Sequence, residues 1–382
     1  MKLITSTRTL FVLLGLAVAS SLSAADSLRD VMEPFVAQRA VAGAVTLVAN
    51  KDRVIAFDAV GMADVARGKP MRTDTVFWIA SQTKPITATA LMILVDEGKV
   101  SLDAPVEKYL PEFKGQMVIV EQDAAHMLLR KPSRPIAVRD ILSHTSGLRF
   151  KSAIEQPTLD TLRVGDAVGS HALQPLQWEP GSRYQYSNAG INTAGRIIEV
   201  VSGMTYEDFM RTRLFEPLGM KETTFWPTPA QVERLAKVYR ANTAKTDIEE
   251  TVIDQLRYPL SDRTRQPMPG GGLFSTAEDL LRFARMILNG GELEGRRYLS
   301  AALVKQMTSK QTAETIKEGY GFGFMVGAGE FGHGGALGTE TSIHPETGLI
   351  TILMIQQGRY LGDGAKIRAE FKRVARERLA GK

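Results

Sequence analysis

Strand-like sequence is concentrated at the two ends of this 382-residue chain, and that distribution constrains its fold more than any other feature. From Ala42 the run AGAVTLVANKDRVIAFDAVG forms two β-rich stretches around Asn50-Lys51-Asp52, the pattern of a hairpin. Near the other end, Tyr320 to Val326, Glu340 to His344 and Leu349 to Gln356 are β-rich and separated by glycine-rich turns. A helix is predicted to follow them from about Ala365 to Leu379. The sequence between is mostly helical or loop. Predicted helices there include Thr87 to Gly98, Gly190 to Ser202 closed by Gly203, and one opened by the capping-box pattern Ser275-Thr-Ala-Glu278 and running through Ile287 toward Gly290. The expected fold class is therefore α/β: one antiparallel sheet formed by the N- and C-terminal segments, flanked by helices, with a large, mainly helical insertion at roughly 105–275. A cleft between the two parts is the favoured place for a small-molecule site.

Charge does not point to a partner. Lys and Arg exceed Asp and Glu by 47 − 42 = +5, and by 45 − 42 = +3 once residues 1–25 are set aside. The local basic excess from Lys366 to Lys382 reads as the wet face of a docked helix, because Ile367, Phe371, Val374 and Ala375 fall at helical spacing. No nucleic-acid partner is expected. The absence of cysteine excludes disulfides, thiolate nucleophiles, Cys-ligated zinc or iron–sulfur sites and covalently attached haem. The five histidines, His126, His144, His171, His333 and His344, include no pair at i,i+2 or i,i+4, so no metal is expected, and nothing calls for a cofactor. Residues 1–25, with Lys2 and Arg8, the apolar run Leu10 to Val18 and the small residues Ser23-Ala24-Ala25, read as a secretory signal peptide cut before Asp26. Residues 26–382 would then be one exported domain, periplasmic or secreted, without a membrane span and without cysteine for lipidation.

Three clusters could carry chemistry. In Ser81-Gln-Thr-Lys84-Pro85, a lysine three residues after a serine at the start of a helix can reach its hydroxyl. A serine is a poor nucleophile until a neighbouring base takes its proton, and a desolvated lysine can be that base. Pro85 is compatible with this only if Ser81 lies within about the first turn. In Tyr186-Ser-Asn188, a phenol able to relay protons and an amide able to hold a carbonyl lie two apart. In His333-Gly334-Gly335-Ala336, glycines between probable strands would let a substrate lie against a strand edge.

In order and wide spacing, Ser81-Gln-Thr-Lys84, Tyr186-Ser-Asn188 and His333-Gly-Gly335 resemble the three motifs of class C β-lactamases and their relatives, D-alanyl-D-alanine carboxypeptidases, D-aminopeptidases and lactamase-like esterases. Gly98-Lys-Val-Ser-Leu-Asp-Ala-Pro105, Arg139-Asp-Ile-Leu-Ser-His-Thr-Ser-Gly147, Glu179-Pro-Gly181 and Pro269-Gly-Gly-Gly-Leu273 are similar to further stretches of that family. The resemblance implies a β-lactamase/transpeptidase-like fold and a serine hydrolase that forms an acyl-enzyme at Ser81. It implies proton transfer through Lys84 and Tyr186, substrate positioning by Asn188, His333, Gly334 and Gly335, and an oxyanion hole from the backbone N–H groups of Ser81 and Ala336.

Where class C β-lactamases carry Lys-Thr-Gly, this chain has His333-Gly334-Gly335. The exchange favours esters or D-amino-acid-type amides without a fixed anion there, and a protonated His333 would restore attraction for one below about pH 6.5. An esterase or D,D-peptidase-like hydrolase is thus expected, with a small-molecule or peptidoglycan-type substrate. A weak class C-type β-lactamase and a non-catalytic binder of cell-wall fragments are the alternatives. His144 and Ser146 read as a helix-terminal turn, Gly270 to Gly272 lack the Gly-Lys-Ser/Thr of a phosphate loop, no G-x-S-x-G elbow occurs, and the 15 methionines read as core filling.

Overall fold

The computed structural model describes residues 27–379, so the expected signal peptide lies outside the described residues. The described residues open with a helix, α1 (Arg29–Ala37), and then the hairpin β1 (Gly43–Ala49) and β2 (Val54–Asp64), with a short β3 (Lys69–Pro70). The C-terminal part supplies β4 (Met325–Gly327), β5 (Glu330–Gly334), β6 (Glu340–His344) and β7 (Leu349–Met354). These seven strands form one sheet in the order β4-β5-β6-β7-β1-β2-β3. The two ends of the chain meet at its centre, where β1 runs antiparallel to β7 with Val45 opposite Met354.

Period-2 alternation decides which side each residue serves. Val45, Leu47 and Ala49 on β1, with Ile350, Ile352 and Met354 on β7, face the main core. Ala44 and Val48, with Leu349 and Leu353, face the opposite way and bury Val31 and Met32 of α1 and Ile367, Phe371 and Val374 of the terminal helix α5 (Ile367–Leu379). A one-residue slip in either strand would exchange these faces, so the register is strongly specified.

The main core is built around α2 (Thr83–Asp96), in which every residue from Thr83 to Leu94 is buried. Against it lies α3 (Asn188–Ser202), while the amphipathic α4 (Ala277–Leu288) joins the same core by packing on the sheet. The helix predicted from Thr87 begins four residues earlier, at Thr83. Pro85 falls within the first turn, where its missing N–H removes no intrahelical bond. Helix α3 likewise begins at Asn188, capped by Ser187, whose hydroxyl accepts the Gly190 N–H, and it ends at Gly203 with φ +71°.

Two expectations need correction. The cap of α4 is Thr276, which accepts the Asp279 N–H, because Ser275 belongs to a two-residue strand, Phe274–Ser275, opposite Phe77–Trp78. The strand expected over Tyr320 to Val326 is only Met325–Gly327, since Gly323, at φ +80°, turns the chain over α2 and donates its N–H to the Leu142 carbonyl. Within the insertion, otherwise mainly helix and loop, lie two hairpins, Val118–Gln122 with Met127–Arg130 and Val238–Ala241 with Ile248–Thr251.

Candidate active site

Ser81 sits in a single 3-10 turn, Ala80–Gln82, that runs directly into α2. The residue before it, Ala80, is held at φ +46°, a left-handed conformation that costs an alanine about 1–3 kcal/mol. The approach to the turn is fixed from several sides. Trp78 donates its indole N–H to the Gly271 carbonyl at 2.8 Å and its own carbonyl accepts from Gln356 at 2.8 Å. The Ile79 N–H donates to the Leu273 carbonyl at 3.0 Å. Such over-determination is what lets a strained residue persist, and it presents Ser81, partly exposed, at the floor of a cleft of about 400 Å³.

Lys84 lies on the same face as Ser81 and is fully buried. Its Nζ is 3.2 Å from Ser81 Oγ, 2.7 Å from Asn188 Oδ1 and 2.6 Å from the Gly270 carbonyl. Burial pushes its pKa down from 10.5 to about 7. A neutral amine has two protons and one lone pair. The atoms that face it, Asn188 Oδ1 and the Gly270 carbonyl oxygen, are acceptors, so they take the two protons and leave the lone pair for the Ser81 hydroxyl. Asn188 is the first residue of α3, and Gly270 is held in turn by its N–H to Asn192 Oδ1 at 2.9 Å. A Cβ at Gly270 would lie 2.9 Å from Asn188 Oδ1, so glycine is required for this close approach.

Tyr186 places its ring 4.6 Å from Lys84 Nζ. Burial pushes its phenol well above the ordinary tyrosine range, and the nearby Ser81 hydroxyl opposes that shift. Its Oη is buried and makes no hydrogen bond of ordinary geometry among the described residues.

The third motif lies on β5 and the turn after it. Gly334, Gly335 and Ala336 line the cleft opposite Ser81, so the two residues expected to supply the oxyanion hole share one cavity. His333 is neutral, as expected near pH 7, and its surroundings also disfavour the protonated form that would bind an anion below about pH 6.5. It is buried, its Nδ1 donates to the Gly334 carbonyl at 2.7 Å, and its Nε2 accepts from the Tyr320 hydroxyl at 3.0 Å. Burial lowers its pKa to about 3, so the ring is neutral at any physiological pH.

Sequence reasoning missed four contributors. His144, set aside as part of a turn, lies behind Tyr186 with ring centroids 4.6 Å apart. Tyr320, read only as strand, is buried against both His144 and His333. Gly270 accepts from Lys84 instead of serving as mere loop; its three-glycine run was the available signal for a close backbone approach. Arg368, assigned to the wet face of α5, turns into the cleft and donates to the Gly335 carbonyl at 3.2 Å, with Glu340 3.9 Å away. Two methionines read as core filling, Met268 and Met325, also line the cleft, and Met325 is 52% exposed.

Comparison with known proteins shows the family and the fold. The family model described as Beta-lactamase matches residues 28–374. Esterase EstB of Burkholderia gladioli is 30% identical over 338 residues, covering 80% of this chain and 80% of its own length. Penicillin-binding protein 4 of Amycolatopsis lactamdurans is 31% identical over 318 residues, covering 78% of this chain and 77% of its own. Among solved structures, unliganded simvastatin synthase (LovD) of Aspergillus terreus superposes with a TM-score of 0.79 over 93% of this chain and 98% of its own, at 19% identity, a likeness of fold.

Proposed function

The chain belongs to the beta-lactamase family and is a serine hydrolase of that fold, and on that premise we propose that it is an exported carboxylesterase acting on esters with an apolar portion. One observation carries the chemistry: the three contacts of Lys84, two to pure acceptors and one to the Ser81 hydroxyl. Neutral Lys84 takes the Ser81 proton as Oγ attacks the ester carbonyl carbon. The tetrahedral oxyanion is stabilised between the backbones of Ser81 and Ala336. Tyr186, beside both Ser81 and Lys84, passes the proton to the departing alkoxide, leaving an alcohol and an acyl group on Ser81. Water, giving its proton to the same network, then releases the acid and restores the serine.

The ester preference rests on the cleft. Trp78, Phe150, Met268 and Met325 give it an apolar lining, Phe150 and Met325 are exposed at its mouth, and the neutral His333 offers no cation. A relative named as an esterase supports the same reading. Arg368 favours a second one: its guanidinium is a permanent cation in the cleft wall, suited to the free carboxylate of a D-alanyl peptide or a β-lactam, though Glu340 partly offsets it. We take the substrate to be a small molecule or a peptidoglycan-type fragment, met outside the cytoplasm after removal of residues 1–25, without a nucleic-acid partner or membrane insertion. No helix among the described residues is long and apolar enough to cross a membrane.

A panel of p-nitrophenyl esters of increasing acyl length, D-alanyl-D-alanine peptides and nitrocefin tests the assignment. The account expects kcat/KM to rise with acyl length and to exceed that for the peptides and the lactam. Preference for the carboxylate-bearing substrates, lost in Arg368→Gln, would establish the second reading. Saturable binding without turnover of any of them would return the protein to the non-catalytic alternative. N-terminal sequencing of the protein recovered from the periplasm checks the cleavage before Asp26.

A further inference from the structure

His144 occupies a left-handed backbone conformation, φ +59°, directly after the helix Val138–Leu142 and Ser143. The segment that carries Tyr186 is laid along this turn. The Gln185 N–H donates to the His144 carbonyl at 2.8 Å, and the Ser187 N–H donates to His144 Nδ1 at 3.2 Å. Tyr186 is the residue between these two anchors. Its ring lies 4.6 Å from the imidazole, at 48°, and the imidazole also meets Tyr320 at 4.6 Å and 62°. Because Nδ1 accepts the Ser187 proton, the ring proton sits on Nε2, which is buried without a hydrogen-bond partner among the described residues. The side chain as a whole is 1% exposed. It reaches neither Ser81 nor the cleft, so it is no base.

We propose that His144 is a positioning residue for Tyr186: its carbonyl and Nδ1 clamp the backbone on both sides of that tyrosine, and its ring fixes the phenol's placement beside Ser81 and Lys84. The inference rests on the serine-hydrolase reading of the site and adds to it a residue that touches no reacting atom. The clamp holds the Tyr186 backbone through two hydrogen bonds only two residues apart, which leaves the ring little freedom to drift. Burial holds the imidazole neutral, so the clamp adds no charge beside Lys84. An asparagine could serve in its place, since Asn tolerates the left-handed region and its Oδ1 can accept as Nδ1 does. Glycine tolerates the backbone but supplies neither acceptor nor ring.

The test compares wild type, His144→Gly and His144→Asn in hydrolysis of p-nitrophenyl butyrate and in the rate at which a fluorophosphonate labels Ser81. A displacement of about 1 Å at a catalytic group can cost about 100-fold in rate, so His144→Gly should lose about that factor in kcat with KM within about threefold of wild type. His144→Asn should recover at least about tenfold of the loss. A folded His144→Gly enzyme at wild-type kcat, or an Asn variant no faster than the Gly variant, overturns the proposal. If His144→Gly loses cooperative unfolding, His144→Asn decides alone, and a folded Asn enzyme slower by about 100-fold or more overturns it. A wild type that takes the fluorophosphonate but turns over no ester counts against the hydrolase reading, and the labelling rates of the variants still decide the role of His144.

Discussion

Raising the pH from 5 to 8 should accelerate acylation of Ser81 about 90-fold, because that range carries Lys84 from almost fully protonated to almost fully neutral. With a pKa of about 7, about one molecule in a hundred holds the neutral amine at pH 5 and about nine in ten at pH 8. The structure names the group responsible. His333 is depressed to about 3 and His144 lies well below its usual range, so neither titrates in this window. Burial raises the phenols of Tyr186 and Tyr320, which stay protonated throughout it. The assay is the pre-steady-state burst of p-nitrophenol from a p-nitrophenyl ester, followed at the isosbestic wavelength so that ionisation of the product does not enter. The logarithm of the burst rate should climb with unit slope below pH 7 and level off above it. Lys84→Arg has no neutral form at these pH values, and should lose the rising limb along with several orders of magnitude in rate. A wild-type burst rate that is flat from pH 5 to 8, or that still rises with unit slope at pH 9, would refute the assignment of Lys84 as the base.

Three more outcomes follow from the same buried groups and the strand edge beside them. The Lys84 pKa of about 7 lies below the unfolded value of 10.5, so between these values the unfolded chain holds the extra proton and stability rises with pH; below about 7 the full penalty, about 5 kcal/mol, is present. Thermal melts of Lys84→Met between pH 6 and 9 should lack this rise while activity is abolished; an unchanged pH dependence would show that Lys84 is not desolvated in solution. His144, His171 and His333 are all buried and depressed, the last two to about 4 and about 3, so each takes up a proton on unfolding below about pH 6.5 and stability should fall steeply from there toward pH 4. Urea titrations at pH 7 and pH 4.5 read this directly, and equal midpoints would contradict it. Gly335→Ala would drive a Cβ onto the Ile79 carbonyl and the Thr339 hydroxyl, displacing the strand edge beside Ser81, and should cost about 100-fold in kcat/KM and about 1–3 kcal/mol in stability. Full activity in the Gly335→Ala enzyme would mean that this edge does not touch substrate.

The parts of the site that the sequence made legible are those with local signatures. Ser81 and Lys84 share one turn, so spacing predicted that these two could meet, whereas the approach of Tyr186 and Asn188 to Lys84 from a distant segment was implied by the family resemblance and not by spacing. The sheet was legible for a similar reason, since β1 and β7 alternate between two buried faces and their composition shows it. The contributors that escaped notice lack any such pattern. Tyr320 meets His333 only because Gly323 reverses the chain between them. Arg368 sits on the polar side of an amphipathic helix, and helical periodicity says only that this side is not core; the neighbouring strand edge, which comes from elsewhere in the chain, converts it into a cleft wall. His333 shows the opposite failure. Its identity was plain, but its charge depends on burial and on the Tyr320 hydroxyl, both products of tertiary packing. The shift of the α4 cap from Ser275 to Thr276 has the same origin, because pairing of Phe274–Ser275 with Phe77–Trp78 claims the earlier residue.

The mechanism requires that Ser81 carry the acyl group. Intact-protein mass spectrometry after rapid acid quench of a p-nitrophenyl ester reaction, followed by peptide mapping, tests it most directly in wild type and Ser81→Ala. The account predicts one acyl increment on the peptide containing Ser81 and none in the variant. An acyl group on another residue, or undiminished turnover by Ser81→Ala, would contradict it.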